Sequence, residues 1–145
     1  MEKIRVSKLR TGAILPTYGT PGAAGADLYA CLDEPVTVQP GETVFIPTGL
    51  SMEIPDGFVG LIYARSGLAC KRDLAPANKV GVIDSDYRGE FIVALHNHGV
   101  QPQTVDHGER MAQLVIAPVA TPGFEEVQEL SKTQRGNSGF GSTGK

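Results

Sequence analysis

Turn chemistry cuts this chain into short runs that suit strands and leave little room for helices. Val36-Thr37-Val38 and residues 43–46, 50–54 and 58–63 are short, β-rich runs. Gln39-Pro40-Gly41-Glu42 and Ile54-Pro55-Asp56-Gly57 stand between members of this series. Proline presets φ for a turn and glycine accepts a positive φ, so each stretch ends one strand and starts another. Further strands are expected at residues 79–83, 91–95 and 111–119, and Asp27 enters one more. Between Ile83 and Phe91, the sequence Asp84-Ser85-Asp86-Tyr87-Arg88-Gly89-Glu90 is expected to be a β-hairpin loop. One short helix is expected, Ser66–Arg72, opened by a residue suited to N-capping. The pattern predicts an all-β fold: a jelly-roll-like β-sandwich or distorted barrel with one short helix and a flexible C-terminal arm.

Composition narrows the function. The chain has 145 residues, enough for one domain with a single core, and its 18 glycines and 10 prolines fit many turns. Trp is absent, so the core is expected to be mostly Val, Ile, Leu and Ala. No run approaches the roughly 18 apolar residues of a membrane span, which argues against a membrane protein. Met1 to Arg10 is basic without a continuous apolar stretch, so no signal peptide is read and a cytoplasmic location is expected. Cys31 and Cys70 are too few for a disulfide framework and are expected to be a buried pair of free thiols. A net charge of −3 argues against a general nucleic-acid binder. An acidic protein that handles a polyanion must concentrate its positive groups at the site, usually with a metal ion's help.

The chain is expected to divide into a β domain over residues 1–128 and an arm over 129–145. Residues 131–145 have almost nothing to bury, which by composition reads as a flexible tail. The arm nevertheless carries a phenylalanine between glycines and a Gly-Ser-Thr-Gly stretch.

Five clusters carry chemistry. In Ala24-Gly25-Ala26-Asp27-Leu28-Tyr29-Ala30, small residues permit close backbone approach and Asp27 enters a strand; taken alone, this reads as a capped turn. In Ala64-Arg65-Ser66-Gly67-Leu68-Ala69, a cation, a hydroxyl and a glycine stand at a helix start, a phosphate-binding arrangement or an ordinary N-cap. In the 84–90 loop, a carboxylate can take a proton from an attacking water, and Tyr87 offers a flat face to a sugar. The alternative there is a turn whose Asp residues cap their own backbone. In Gly108-Glu109-Arg110-Met111-Ala112-Gln113, Gln113 can donate its amide to phosphate, or Arg110 and Gln113 can be solvent-facing groups on an edge strand. In the arm, Arg135 can pair with phosphate, Phe140 can stack on a base, and Gly141-Ser142-Thr143-Gly144 can wrap a terminal phosphate. No strand–loop–helix unit precedes that last stretch, so it is not a P-loop.

Together and in this order, the five clusters resemble the five motifs of the trimeric dUTP pyrophosphatase family, from about Ala24 to Gly144. The resemblance implies hydrolysis of dUTP to dUMP and pyrophosphate by Mg²⁺-assisted water attack on the α-phosphorus, lowering dUTP and supplying dUMP for thymidylate synthesis. It implies Asp84 as general base and Tyr87 as the residue that packs on deoxyribose and disfavours ribonucleotides. Asn78, Val82, Ile83 and Ile92 would line the uracil pocket. Arg65, Ser66, Gly67 and Gln113 would hold phosphates, and Asp27 would orient water around the metal. Arg135, Phe140, Gly141, Ser142 and Thr143 would close over the nucleotide, in a homotrimer whose sites are shared between subunits. A triphosphate brings about four negative charges beside Asp27, Asp84 and Asp86, which is the electrostatic case for Mg²⁺.

One departure is Ser138, where the family arm usually carries glycine; its Cβ is expected to change arm kinetics and to leave the chemical groups intact. The nearest rival is dCTP deaminase, whose catalytic glutamate follows the equivalent loop. Here that strand reads Phe91-Ile92-Val93-Ala94-Leu95, without a carboxylate. A nucleotide-binding regulator and a plain jelly-roll interaction module are the remaining alternatives. His96 and His98 flank Asn97 and lack a third ligand nearby in sequence, so they are read as exposed or subunit-contact histidines.

Overall fold

The computed structural model describes residues 3–139. Among these residues there are twelve strands and one helix. The strands are β1 (Arg5–Lys8), β2 (Thr17–Tyr18), β3 (Ala26–Tyr29), β4 (Val36–Val38), β5 (Thr43–Pro47) and β6 (Leu50–Glu53). They continue with β7 (Phe58–Tyr63), β8 (Leu74–Pro76), β9 (Gly81–Ile83), β10 (Ile92–Asn97), β11 (Gln103–Val105) and β12 (Arg110–Pro118). The helix, α1, spans Ser66–Arg72. Every ladder is antiparallel. The largest sheet runs β2-β3-β12-β7-β9 and a second runs β5-β10-β8, with the pairs β1-β6 and β4-β11 completing the layers.

The all-β, jelly-roll-like reading holds. Alternation explains which side of each strand faces in. In β3, Ala26 and Leu28 are buried while Asp27 and Tyr29 are half-buried. In β10, Val93, Leu95 and Asn97 are buried between less buried neighbours. Leu28, Ile62 and Leu114 from the large sheet meet Ile46, Leu74, Val93 and Leu95 from the second in one core. The core is mostly Val, Ile, Leu and Ala, as expected, with Phe91, Met52, Met111 and Cys31 among them. Phe91 is fully buried, and Phe91→Ala is expected to cost about 3–5 kcal/mol, read as a lower denaturation midpoint at unchanged m-value.

Several local expectations need correction. The 84–90 stretch is not a hairpin loop: β9 pairs with β7, whereas β10 pairs with β5 and β8. Both flanking strands are apolar, but each finds its partner in a different sheet, so the segment is a crossover. Ser66 is the first helical residue; the cap is Arg65, extended at φ −90° and ψ 129°, with no side-chain capping bond. Cys31 is buried but Cys70 is exposed, because Leu68 is the residue α1 turns into the core. β12 is the middle strand of its sheet and not an edge. Strand ends differ by one or two residues from expectation, the usual fraying. Among the described residues regular structure ends at Pro118, and residues 119–138 are exposed.

Candidate functional site

The crossover from β9 to β10 opens a cleft of about 400 Å³, a size suited to a small ligand. Asn78, Val82, Ile83, Asp84, Tyr87 and Ile92 all line it. These are the described residues assigned to the base, the sugar and the catalytic proton. Phe45, Pro76, Glu90 and Ala94 are further wall residues that the sequence did not point to. Phe45 had a signal: it is 71% exposed, and alternation in β5 turns it away from the core. The loop holds itself together. The Tyr87 N–H donates to the Asp84 carbonyl at 3.2 Å, and Arg88 Nη1 donates to the Ser85 and Tyr87 carbonyls at 2.7 and 3.0 Å. Asp84 itself is exposed, so its carboxylate is open to a water molecule.

A second cluster stands on the outer face of the large sheet. Direct cross-strand partners share a face, and Asp27, Gln113 and Tyr63 form one such row. Asp27 Oδ1 accepts Arg65 Nε at 2.7 Å, and Asp27 Oδ2 accepts Arg110 Nη1 at 3.4 Å. Two guanidinium groups on one carboxylate leave a positive excess. The pairing also fixes Arg65, whose side chain is only 25% exposed. Gln113 Nε2 donates to the Ala64 carbonyl at 2.8 Å, tying β12 to the segment that enters α1. Gly25 is required beside it: a Cβ there would stand 2.5 Å from Gln113 Oε1. Ser66 and Gly67 are exposed at the start of α1, and a Cβ at Gly67 would meet open space.

Both Asp27 oxygens are engaged by arginine, so the residue fits a metal only through water. Among the described residues no group of three or more His, Cys, Asp and Glu side chains could hold a metal ion. A divalent ion carried by phosphate oxygens, with Asp27 behind a water, suits this donor set. His96 is half-buried with Nδ1 at 2.8 Å from Thr43 Oγ1, while His98 is exposed. Slight desolvation and the neighbouring charges of His96 and Lys79 push the His98 imidazole below its ordinary value.

The two clusters lie apart. Ile83, next to Asp84, pairs with Gly60, and Gly60 pairs with Ile116. Asp27 pairs with Gln113 on the same β12. That is three strand steps across, about 14 Å, and three residues along, about 10 Å. Arg135 is exposed, its Nε donating to the Ser138 carbonyl at 2.8 Å within its own turn. Phe140, Gly141, Ser142 and Thr143 lie outside the described residues.

The family model described as dUTPase matches residues 11–144. This chain belongs to the dUTPase family. Among its relatives is the deoxyuridine 5'-triphosphate nucleotidohydrolase of Desulfitobacterium hafniense, 52% identical over 145 residues, covering 98% of this chain and 96% of the relative. The enzyme of the same name from Hahella chejuensis is 48% identical over 143 residues, covering 98% and 94%. The structure of Staphylococcus bacteriophage 80alpha dUTPase with dUPNHPP superposes with a TM-score of 0.91 at 30% identity, covering 99% of each chain. Membership in the family accounts for the shared order of the five clusters and for the fold they sit on.

Proposed function

We propose that this chain hydrolyses dUTP to dUMP and pyrophosphate, with Asp84 as the general base for water attack on the α-phosphorus. The observation that carries this reading is the cleft at the β9–β10 crossover, where Asp84 and Tyr87 share one wall system with Asn78, Val82, Ile83 and Ile92. Uracil sits against the Asn78 amide and the strand ends, the deoxyribose packs on Tyr87, and Asp84 accepts the proton of the water. Arg65, Ser66, Gly67 and Gln113 hold the phosphates, with Arg65 aimed by its bond to Asp27. Asp27, acting through water, would help hold a Mg²⁺ brought in with the substrate, and that ion would supply charge to offset the carboxylates around the phosphates. Arg135, Phe140, Gly141, Ser142 and Thr143 then close over the nucleotide and exclude water.

The scheme calls for sites shared between copies of the chain. One triphosphate must reach Asp84 and the Arg65–Gln113 cluster together, yet within one chain Ile83 and Gln113 stand two strand steps across and three residues along, about 14 Å apart on the sheet. A homotrimer that sets the base of one subunit against the phosphate cluster of the next removes this mismatch. Residues 119–132 also leave the body carrying Phe124, Val127 and Leu130, which are 102%, 51% and 85% exposed. Such apolar exposure suits a neighbouring subunit.

Deamination of dCTP is less suited. β10 reads Ile92-Val93-Ala94-Leu95-His96-Asn97, and no carboxylate on it faces the cleft.

The deciding experiment follows dUTP, dCTP, dTTP and UTP by ³¹P NMR with Mg²⁺, alongside an ammonia assay. Pyrophosphate from dUTP alone is expected. Ammonia from dCTP would favour the deaminase, and no product from any of them a regulatory binder. A further expectation concerns Gly25→Ala. The added methyl displaces Gln113 and should raise KM for dUTP by about tenfold, with a smaller effect on a nucleoside lacking phosphates.

A further inference from the structure

Tyr87 is 41% exposed, so core packing alone does not set its ring. Three local contacts do. Its hydroxyl donates to the Glu90 carbonyl at 3.0 Å. Its phenol lies over Gly89, where any Cβ would collide with it. Its ring also leans on Phe91, with centroids 6.1 Å apart and planes at 42°. The ring therefore follows the backbone at residues 89–91.

That backbone is held from outside the cleft. Glu90 Oε1 accepts the Gly49 N–H at 2.9 Å and Arg10 Nε at 3.0 Å, while Oε2 accepts Arg10 Nη2 at 3.4 Å. Phe91 donates to the Leu50 carbonyl at 2.8 Å, and its own carbonyl accepts Thr48 N–H at 3.1 Å and Thr48 Oγ1 at 2.6 Å. On the other side, Ser51 Oγ donates to the Arg88 carbonyl at 2.7 Å. An exposed ion pair between flexible side chains would hold little. This one differs, because the Glu90 side chain is only 16% exposed and also satisfies a backbone N–H. Removing it leaves the Gly49 donor without that partner.

We propose that Arg10 and Glu90 are a positioning pair that sets the Tyr87 ring and so the preference for deoxyribose over ribose; this rests on the sugar-site role proposed above for Tyr87. A ring that rejects a substrate over one hydroxyl must sit within about 0.5 Å of its working place. Arg10 lies outside all five clusters, in the segment before β2, and acts through Glu90 without touching the substrate. Loosening the pair frees the Glu90 carbonyl to shift, the phenol follows it, and room opens for a 2′-hydroxyl.

The test compares kcat/KM for dUTP and UTP in Glu90→Ala, Glu90→Gln, Arg10→Met and Arg10→Lys. Hydrogen exchange of the peptide over residues 84–91 is read in the same proteins. Glu90→Ala is expected to lower the dUTP:UTP ratio and speed exchange by about tenfold each, the scale of one charged hydrogen bond. Arg10→Met should move both in the same direction by less, and Arg10→Lys should return most of the loss. Should Glu90→Ala fail to fold, Arg10→Met and Glu90→Gln carry the same comparison. A folded Glu90→Ala or Arg10→Met protein with a wild-type ratio overturns the inference, whatever its exchange, because the pair is then only a structural clip. A wild-type protein inactive on dUTP overturns the proposed function instead; exchange would then decide the clamp, and unchanged exchange in Arg10→Met would overturn it.

Discussion

Asp84→Asn is expected to lower kcat for dUTP by about 10²–10⁴ while leaving nucleotide binding intact. The amide matches the carboxylate in size, so the cleft keeps its shape and the loop its backbone bonds. Those bonds do not use the Asp84 side chain: the Tyr87 N–H goes to the Asp84 carbonyl, and Arg88 holds the Ser85 and Tyr87 carbonyls. What disappears is a group that can take a proton from water. Binding has a reason to tighten slightly, because one negative charge is removed from beside a triphosphate. Pyrophosphate release would measure the first effect and titration calorimetry with dUTP the second. Full turnover in the asparagine variant would sink the role given to Asp84. Lost binding with normal turnover of the remaining complex would place the residue in recognition instead.

The residue classes in the 84–90 stretch were legible from sequence, whereas their surroundings were not. Alternation in β3 and β10 and the turns at Pro40-Gly41 and Pro55-Asp56-Gly57 reflect local sterics and burial, which the chain carries in short windows. They sufficed for an all-β fold with α1 at Ser66–Arg72. Pairing is non-local, and there the reading failed: two apolar runs joined by a seven-residue loop look like a hairpin, but β9 and β10 enter different sheets. The same limit hid Phe45 and Pro76, which reach the cleft from β5 and β8 through their ladders with β10. It also hid the bond between Arg10 and Glu90, residues eighty positions apart. Arg65 shows a subtler case. Its charge marked it as a phosphate ligand, but only the register of β3 against β12 places Asp27 where it can aim the guanidinium.

Ending the chain after Lys132 is expected to lower kcat/KM for dUTP by about 10²–10³ and to leave the melting temperature nearly unchanged. Stability has little at stake there. Among the described residues the buried hydrophobic ones run from Ala13 to Leu114, and no strand extends past Pro118. Among the described residues of the arm, the hydrogen bonds are local, as when Arg135 Nε meets the Ser138 carbonyl and the Gly136 N–H meets Thr133 Oγ1. Among the described residues, cutting these bonds away opens no cavity and strands no buried polar group. Catalysis stands differently. The cleft around Asp84 is open to solvent, and in the proposed scheme the Arg65–Gln113 cluster would hold the phosphates without covering the nucleotide. Closure by Arg135 and the Phe140-Gly141-Ser142-Thr143 stretch would add a guanidinium, a base-stacking ring and several donors once the nucleotide is bound. Circular dichroism melting and steady-state kinetics on the shortened chain separate the two effects. Full activity would remove the arm from the mechanism, and a large drop in melting temperature would show that the domain boundary near residue 128 is misplaced. If activity falls while the fold survives, Ser138→Gly becomes the finer probe: restoring the family's glycine should speed arm closure and leave the pyrophosphate yield per dUTP unchanged.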